Sequence, residues 1–381
     1  MIRSSTALTA SSFLSMFFLG VGAAIIGAAA RNIGLTPTEI GLLMAVQNLG
    51  FMVAVVLSGA LADTSDKTNI LFVGSAVLAA AFATFYLNDS FGLNLMIMFF
   101  IGTGVGTYEG VTDAMLLDIH DRKENLFINV NHFFVTFGSL MITLYLIFLQ
   151  MNWRLSLTQS GILVGALALF YLLAGLERSG HAEEKLGKRL GFLLREPRVI
   201  ILFAATICAV GTELGTVGIM TTYLMEFSGL NQVTSKIGLL IFLTGVASGR
   251  LMVGFFSRNE QIPLLILLLF GGAALFLSAL FFLDLGTAVY VLIYFSGMTI
   301  SALLPLIITL AGISYPAHAG TVLGVIKIAI PIGGTLVPFL LSVLAGHGSF
   351  RLSLLLFPVA AGAGFLVMLV KLRDMIRSIS A

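Results

Sequence analysis

Several ionisable residues stand inside otherwise apolar stretches of the 381-residue chain. Glu109 and Asp113 are four positions apart, which places both carboxylates on one face of a helix. His132 and Lys327 occupy two further apolar stretches, 195 positions from one another. Charged groups in hydrocarbon are costly, so each marks a functional candidate. Two acids opposed to two bases could relay a proton, or could form a static ion pair that locks helices together. Glu213, between Gly211 and Gly215, is a fifth candidate for proton coupling, and its neighbours Thr212 and Thr216 are positioned to satisfy it. Among uncharged groups, Gln47, Asn48, Tyr108, Asn129 and Asn131 could orient a solute or serve as hydrogen-bond glue between helices. The pattern lacks H-E-x-x-H, a Ser–His dyad and a phosphate-binding glycine loop, so an enzyme, a bound metal and a cofactor are not expected. Cys208, alone of its type, can form no internal disulfide.

The surroundings of these residues set the solvent. Apolar residues make up 58% of the chain and charged ones 10%, with a mean hydropathy of +1.06. Soluble domains carry about 25% charged residues, so the lipid bilayer is the expected partner. The net charge of +2 gives no reason to expect a nucleic acid. Twelve apolar stretches are each about long enough to cross a hydrocarbon core of roughly 30 Å. They run over 8–30, 39–61, 69–87, 92–116, 126–149 and 156–175, then 199–223, 234–256, 262–283, 287–310, 319–344 and 351–370. Lipid leaves backbone groups no external partner, so every span is expected to be helical. Counted from the cytoplasmic ends, Glu109, His132 and Lys327 share a depth near 10 Å, at about 1.5 Å per residue.

Lysine and arginine set the orientation. With the N-terminus inside, 14 basic residues fall on the cytoplasmic side, among them Arg3, Lys67, Arg122, Lys123, Arg195, Lys371, Arg373 and Arg377. The outside keeps four (Arg31, Arg154, Lys236 and Arg351), and Arg250 and Lys327 lie within spans. Both termini are therefore expected in the cytoplasm, in a multi-pass protein of the inner membrane. The opening apolar stretch after Arg3 reads as the first span and not as a cleaved signal. The longest polar segment, Glu177 to Arg198, reads as a linker carrying a short interfacial helix. It divides the chain into 1–176 and 199–381, two bundles of six helices.

The two parts look duplicated. Ile40-Gly41-Leu42-Leu43 recurs as Ile237-Gly238-Leu239-Leu240, Gly59 to Asp63 corresponds to Gly254 to Arg258, and an offset of 195 pairs Gly138 with Gly333 and His132 with Lys327. Parallel six-span repeats are a transporter architecture with the solute site near midplane between them. Pro331 and Pro338, with Gly333 and Gly334, make the eleventh span kinkable. Trp153 is placed at the outer interface, where aromatic belts form.

In span count, central linker and the Gly59, Leu61, Asp63 signature after the second span, the chain resembles the major facilitator superfamily over essentially its whole length. Thr64, Ser65 and Asp66 depart from that signature, which keeps Lys67. The resemblance implies an all-α membrane fold of twelve helices and a cytoplasmic gate formed by Gly59, Asp63 and Arg250. Gly104, Gly106, Glu109 and Asp113, with the Asn129-to-Gly138 spacing, are similar to the fucose permease branch of sugar:proton symporters. Those symporters carry an acid in the first span, whereas Gly22 to Ala28 contains none, so coupling by a first-span carboxylate is excluded. The expected function is secondary active transport of a small solute by alternating access, coupled to H+, acting as a monomer. A sugar is suggested by the resemblance, and a small organic anion by His132 and Lys327. A drug or metabolite exporter on the same scaffold and a non-transporting membrane sensor are the alternatives.

Overall fold

The computed structural model describes residues 3–35, 37–120, 123–149, 152–176, 186–193, 195–227, 229, 232–283 and 286–372. Thr36, Arg122, residues 177–185 of the linker, Arg373 and Arg377 lie outside them. The first helices are α1 (Ser5–Ile33), α2 (Pro37–Ala62), α3 (Lys67–Thr84), α4 (Phe91–Ile119), α5 (Glu124–Phe148) and α6 (Trp153–Leu173). The short α7 (Leu186–Leu193) falls where the linker helix was expected. There follow α8 (Pro197–Phe227), α9 (Gln232–Phe256), α10 (Ile262–Phe282), α11 (Val289–Ser301), α12 (Leu303–Ser314), α13 (Ala319–Lys327), α14 (Ala329–His347), α15 (Phe350–Ser353) and α16 (Leu356–Val370). Among the described residues, twelve stretches are long and apolar enough to cross a membrane, matching the number of spans read from hydropathy.

Three of these spans are interrupted for one chemical reason. Proline has no N–H to give the carbonyl four residues earlier and crowds it sterically. Pro305, Pro331 and Pro358 follow by four the residues Ser301, Lys327 and Leu354, and the helices break there: α11 from α12, α13 from α14, α15 from α16. The kink expected from Pro331 is present, whereas Pro338 sits inside α14 without ending it.

The helices gather into two compact units. One contains Met1–Arg122, Asn131–Gly191 and Tyr315–Lys327, thus α13 together with α1–α4, α6 and most of α5. The other contains Lys123–Val130, Phe192–Ser314 and Ile328–Ala381. In the first unit, Leu71, Leu78, Phe82, Ile101, Val105, Tyr108 and Tyr171 belong to one buried core cluster. Glycines at four-residue spacing rib α4 so that α2 can lie directly on it: a Cβ on Gly102 would collide with the Gln47 carbonyl, and one on Gly106 with that of Phe51. In the second unit, a Cβ on Gly297 of α11 would collide with the Phe242 carbonyl of α9. Gln47 and Gly102 correspond to Phe242 and Gly297 at the offset of 195, and Gly50 against Phe99 corresponds likewise to Gly245 against Tyr294. The same close approach is thus built twice, position for position, beyond the matches first noticed in the sequence.

At the α3–α4 turn, Asn94 is fully buried and accepts from Tyr86 N at 2.7 Å while donating to the Asn88 and Ser90 carbonyls. One amide side chain thereby satisfies backbone groups that lipid would leave orphaned.

Candidate functional site

The glycine-ribbed α4 carries Glu109 and Asp113 one turn apart, with α5 supplying Asn131 and His132 and the last residue of α13 supplying Lys327. All five belong to the first unit and are 3% exposed or less. Lys327 Nζ lies 2.6 Å from Asp113 Oδ2 and 3.0 Å from Glu109 Oε1, and also donates to the main-chain carbonyl of Glu109. His132 Nε2 lies 3.0 Å from the same Asp113 Oδ2 and 4.0 Å from Glu109 Oε1. The other Asp113 oxygen accepts from Asn131 Nδ2 at 2.7 Å, and Asn131 in turn accepts from Ser12 Oγ of α1 at 3.0 Å. The four charged groups expected to oppose one another therefore meet, with Asp113 at the centre.

The two carboxylates of this cluster are not equivalent. Asp113 is hydrogen-bonded through both oxygens. Glu109 Oε1 is buried beside the Lys327 ammonium and the His132 imidazole, yet within hydrogen-bonding geometry of neither. Lys327 supplies one positive charge against two carboxylates, so one further proton, on His132 or Glu109, balances the cluster. An uncompensated charge at this depth costs several kcal/mol. The ligand atoms of Glu109, Asp113 and His132 all lie within 4.8 Å of one another, a metal-like grouping. The Lys327 ammonium lies against the two carboxylates of that grouping, 2.6 Å from Asp113 Oδ2 and 3.0 Å from Glu109 Oε1.

Asp63, expected at a gate, is also in this unit. It receives Gly320 N at 2.7 Å and Thr321 N at 2.9 Å, and Thr321 Oγ1 as well, closing the N-terminus of α13. A carboxylate suits the positive end of a helix. Gly59 permits the approach, since a Cβ there would lie 2.5 Å from the Gly320 carbonyl oxygen. The nine-residue α13 is thus held at both ends, by Asp63 and through Lys327. The departures from the family signature have partners of their own. Asp66 caps α3 through Thr68 N at 2.9 Å and receives Leu176 N, and Lys67 pairs with Asp118 at 2.5 Å.

Other sites differ from the reading of the sequence. Arg250, expected at the cytoplasmic gate, belongs to the second unit and donates Nη2 to Glu213 Oε1 at 2.8 Å and Nε to the Ser301 carbonyl at 3.0 Å. Thr212 and Thr216 do not satisfy Glu213, and their buried hydroxyls lack hydrogen-bond partners. Gln47 donates to the Gly22 carbonyl at 2.9 Å and Tyr108 to Ser75 Oγ at 2.8 Å, both acting between helices. Asn129 donates to the carbonyl and side chain of Asn125, and Asn48 is half-buried on α2. Of the five uncharged candidates, Asn131 alone bonds directly to a charged member of the cluster. Ser12 and Thr112, which support Asn131, carried no signal beyond their burial on helical faces.

Comparison with known proteins agrees with this architecture. The sequence model described as Major Facilitator Superfamily matches residues 8–338. A glucose/mannose transporter of Bacillus subtilis (strain 168) is 20% identical over 349 residues, covering 86% of this chain and 84% of that protein. The crystal structure of the E. coli fucose:proton symporter superposes with a TM-score of 0.78 at 17% identity, covering 97% of this chain and 99% of that one. A proton:xylose symporter bound to 6-bromo-6-deoxy-D-glucose superposes with a TM-score of 0.72 at 13% identity, covering 96% and 95%.

Proposed function

The chain belongs to the major facilitator superfamily, and on that premise we propose that this membrane transporter is a proton-coupled carrier of a monosaccharide, with Glu109 as the proton acceptor. The supporting observation is the contrast between the two carboxylates: Asp113 bonded on both oxygens, Glu109 with a buried oxygen beside the Lys327 ammonium and the His132 imidazole and no hydrogen bond to that oxygen. Relatives described as carriers of glucose and mannose, fucose and xylose favour a sugar. An anionic solute loses its support, because Lys327 and His132 already face the carboxylates of Glu109 and Asp113.

In this reading a proton on Glu109 removes one of two negative charges facing Lys327. The C-terminal end of α13 then keeps Asp113 and the Glu109 main-chain carbonyl but loses the Glu109 charge, while Asp63 still holds its N-terminus. Loosening one end of α13 is the step that links proton binding to alternating access. Two duplicated bundles (residues 1–176 and 199–381) rock about the solute, with Asn131 and Asn48 among the groups that orient it. The protein is a monomer in the inner membrane with both termini cytoplasmic.

The test is uptake of radiolabelled D-glucose, D-mannose and L-fucose into proteoliposomes under an imposed pH gradient. Wild-type protein is expected to accumulate at least one of them, and Glu109→Gln to lose accumulation while retaining counterflow exchange. Accumulation by Glu109→Gln equal to wild type would remove the assigned role. Export of lipophilic drugs with no sugar flux would favour the exporter reading.

A further inference from the structure

We propose that Arg250 is a positioning residue for a hinge in the tenth span, supplying to the Ser301 carbonyl the hydrogen-bond donor that Pro305 withholds. This goes beyond the proposed sugar and proton chemistry and does not depend on which solute is carried.

The α11–α12 break leaves Ser301 with a carbonyl whose α-helical partner would be the N–H of residue 305, and residue 305 is proline. An unsatisfied carbonyl in hydrocarbon costs about 1–3 kcal/mol. Arg250 Nε donates to that carbonyl at 3.0 Å. The guanidinium is 4% exposed and is aimed by Glu213, which receives Nη2 at 2.8 Å. Close packing delivers it there: a Cβ on Gly249, the preceding residue, would lie 2.5 Å from the Met298 carbonyl oxygen of α11.

The repeat supplies an internal control. At the offset of 195 fixed by the glycine contacts, Arg250, Ser301 and Pro305 correspond to Val55, Gly106 and Gly110 in the other unit. The equivalent span there, α4, runs unbroken for 29 residues from Phe91 to Ile119. The arginine occurs in the unit where the helix is broken and is absent where it is continuous. General ion pairing between helices does not account for this match, whereas replacing a missing backbone donor does.

Glu213 consequently sets how firmly the brace is engaged. With its carboxylate in place the guanidinium is fixed on two sides and the break is rigid. When Glu213 is neutralised or drawn away, Arg250 loses the carboxylate that aims it at the Ser301 carbonyl, and α12 can swing about Ala302. Glu213 thus acts on the second unit, apart from the Glu109 cluster of the first.

Hydrogen–deuterium exchange of the purified full-length protein over residues 302–310 tests this, with peptides from α4 as reference. A hydrogen bond to a charged donor contributes about 1.5–3 kcal/mol, so losing it should speed local exchange about tenfold or more. Glu213→Gln/Arg250→Gln, which removes both charges of the pair, is expected to show that acceleration over 302–310 and not in α4. Glu213→Gln alone should fall between it and wild type. Adding Pro305→Ala restores a backbone N–H to the Ser301 carbonyl and should return exchange to the wild-type rate. Acceleration that Pro305→Ala does not reverse, or none at all, overturns the proposal. If the double variant does not fold, the triple variant should still fold and melt close to Pro305→Ala; a triple variant that also fails to fold overturns it equally.

Discussion

Asp113 is the residue on which the buried cluster depends, since Lys327, His132 and Asn131 all bond to it. Lys327→Met leaves the Glu109 and Asp113 carboxylates facing each other at full burial without their ammonium partner, and breaking a buried pair by removing one partner costs about 3–5 kcal/mol. The melting temperature of the detergent-purified variant should fall steeply, and Asp113→Asn/Lys327→Met should recover most of the loss; a double variant as unstable as the single would contradict the pairing. The four charged residues were legible in the sequence because their signals are strong: carboxylates at helical spacing, and two bases related by the repeat offset, all in apolar runs. The Arg250–Glu213 pair was not, because two charges on adjacent spans announce a functional candidate without naming a partner. Ser301 was beyond reach, since its contribution is a main-chain carbonyl exposed by a proline four residues later.

Individual helices are placed by small residues and by what proline withholds. Gly106→Val puts a branched side chain against the Phe51 carbonyl. Overpacking of this kind costs about 1–3 kcal/mol, so the variant should melt lower, whereas Gly92→Ala, with open space around its Cα, should not. Asp63→Asn keeps the size of the cap on α13 but removes its charge; losing a favourable helix-terminus charge costs roughly 0.3–2 kcal/mol. Its exchange protection over residues 319–323 should drop with little change elsewhere, and unchanged protection would show that Asp63 does not hold that terminus. Span positions were readable from hydropathy to within a few residues, because bilayer thickness sets their length. The break at Pro331 was anticipated from its glycine neighbours, while those at Pro305 and Pro358 passed unnoticed among branched apolar residues that carry no flexibility signal.

At the scale of the whole molecule, the glycine–carbonyl contacts repeated at an offset of 195 are the firmest trace of the expected duplication. Sequence matches alone suggested the repeat through motifs short enough to arise by chance. Contacts matched position for position express it more strongly, because close backbone approach tolerates no side chain. Orientation is the property of the whole chain that positive charge predicts. In a Cys208→Ser background, Arg154→Cys should react with a membrane-impermeant maleimide on intact cells and Arg3→Cys should not; the reverse pattern would invert the topology. The central claim, that solute and proton move together through the Glu109 cluster, is tested most directly by proton flux. Proteoliposomes in weak buffer, loaded with a pH dye and given an inward gradient of the transported sugar, should acidify internally with wild-type protein and remain at constant pH with Glu109→Gln. Sugar entry through the wild-type protein without any internal acidification would contradict the account.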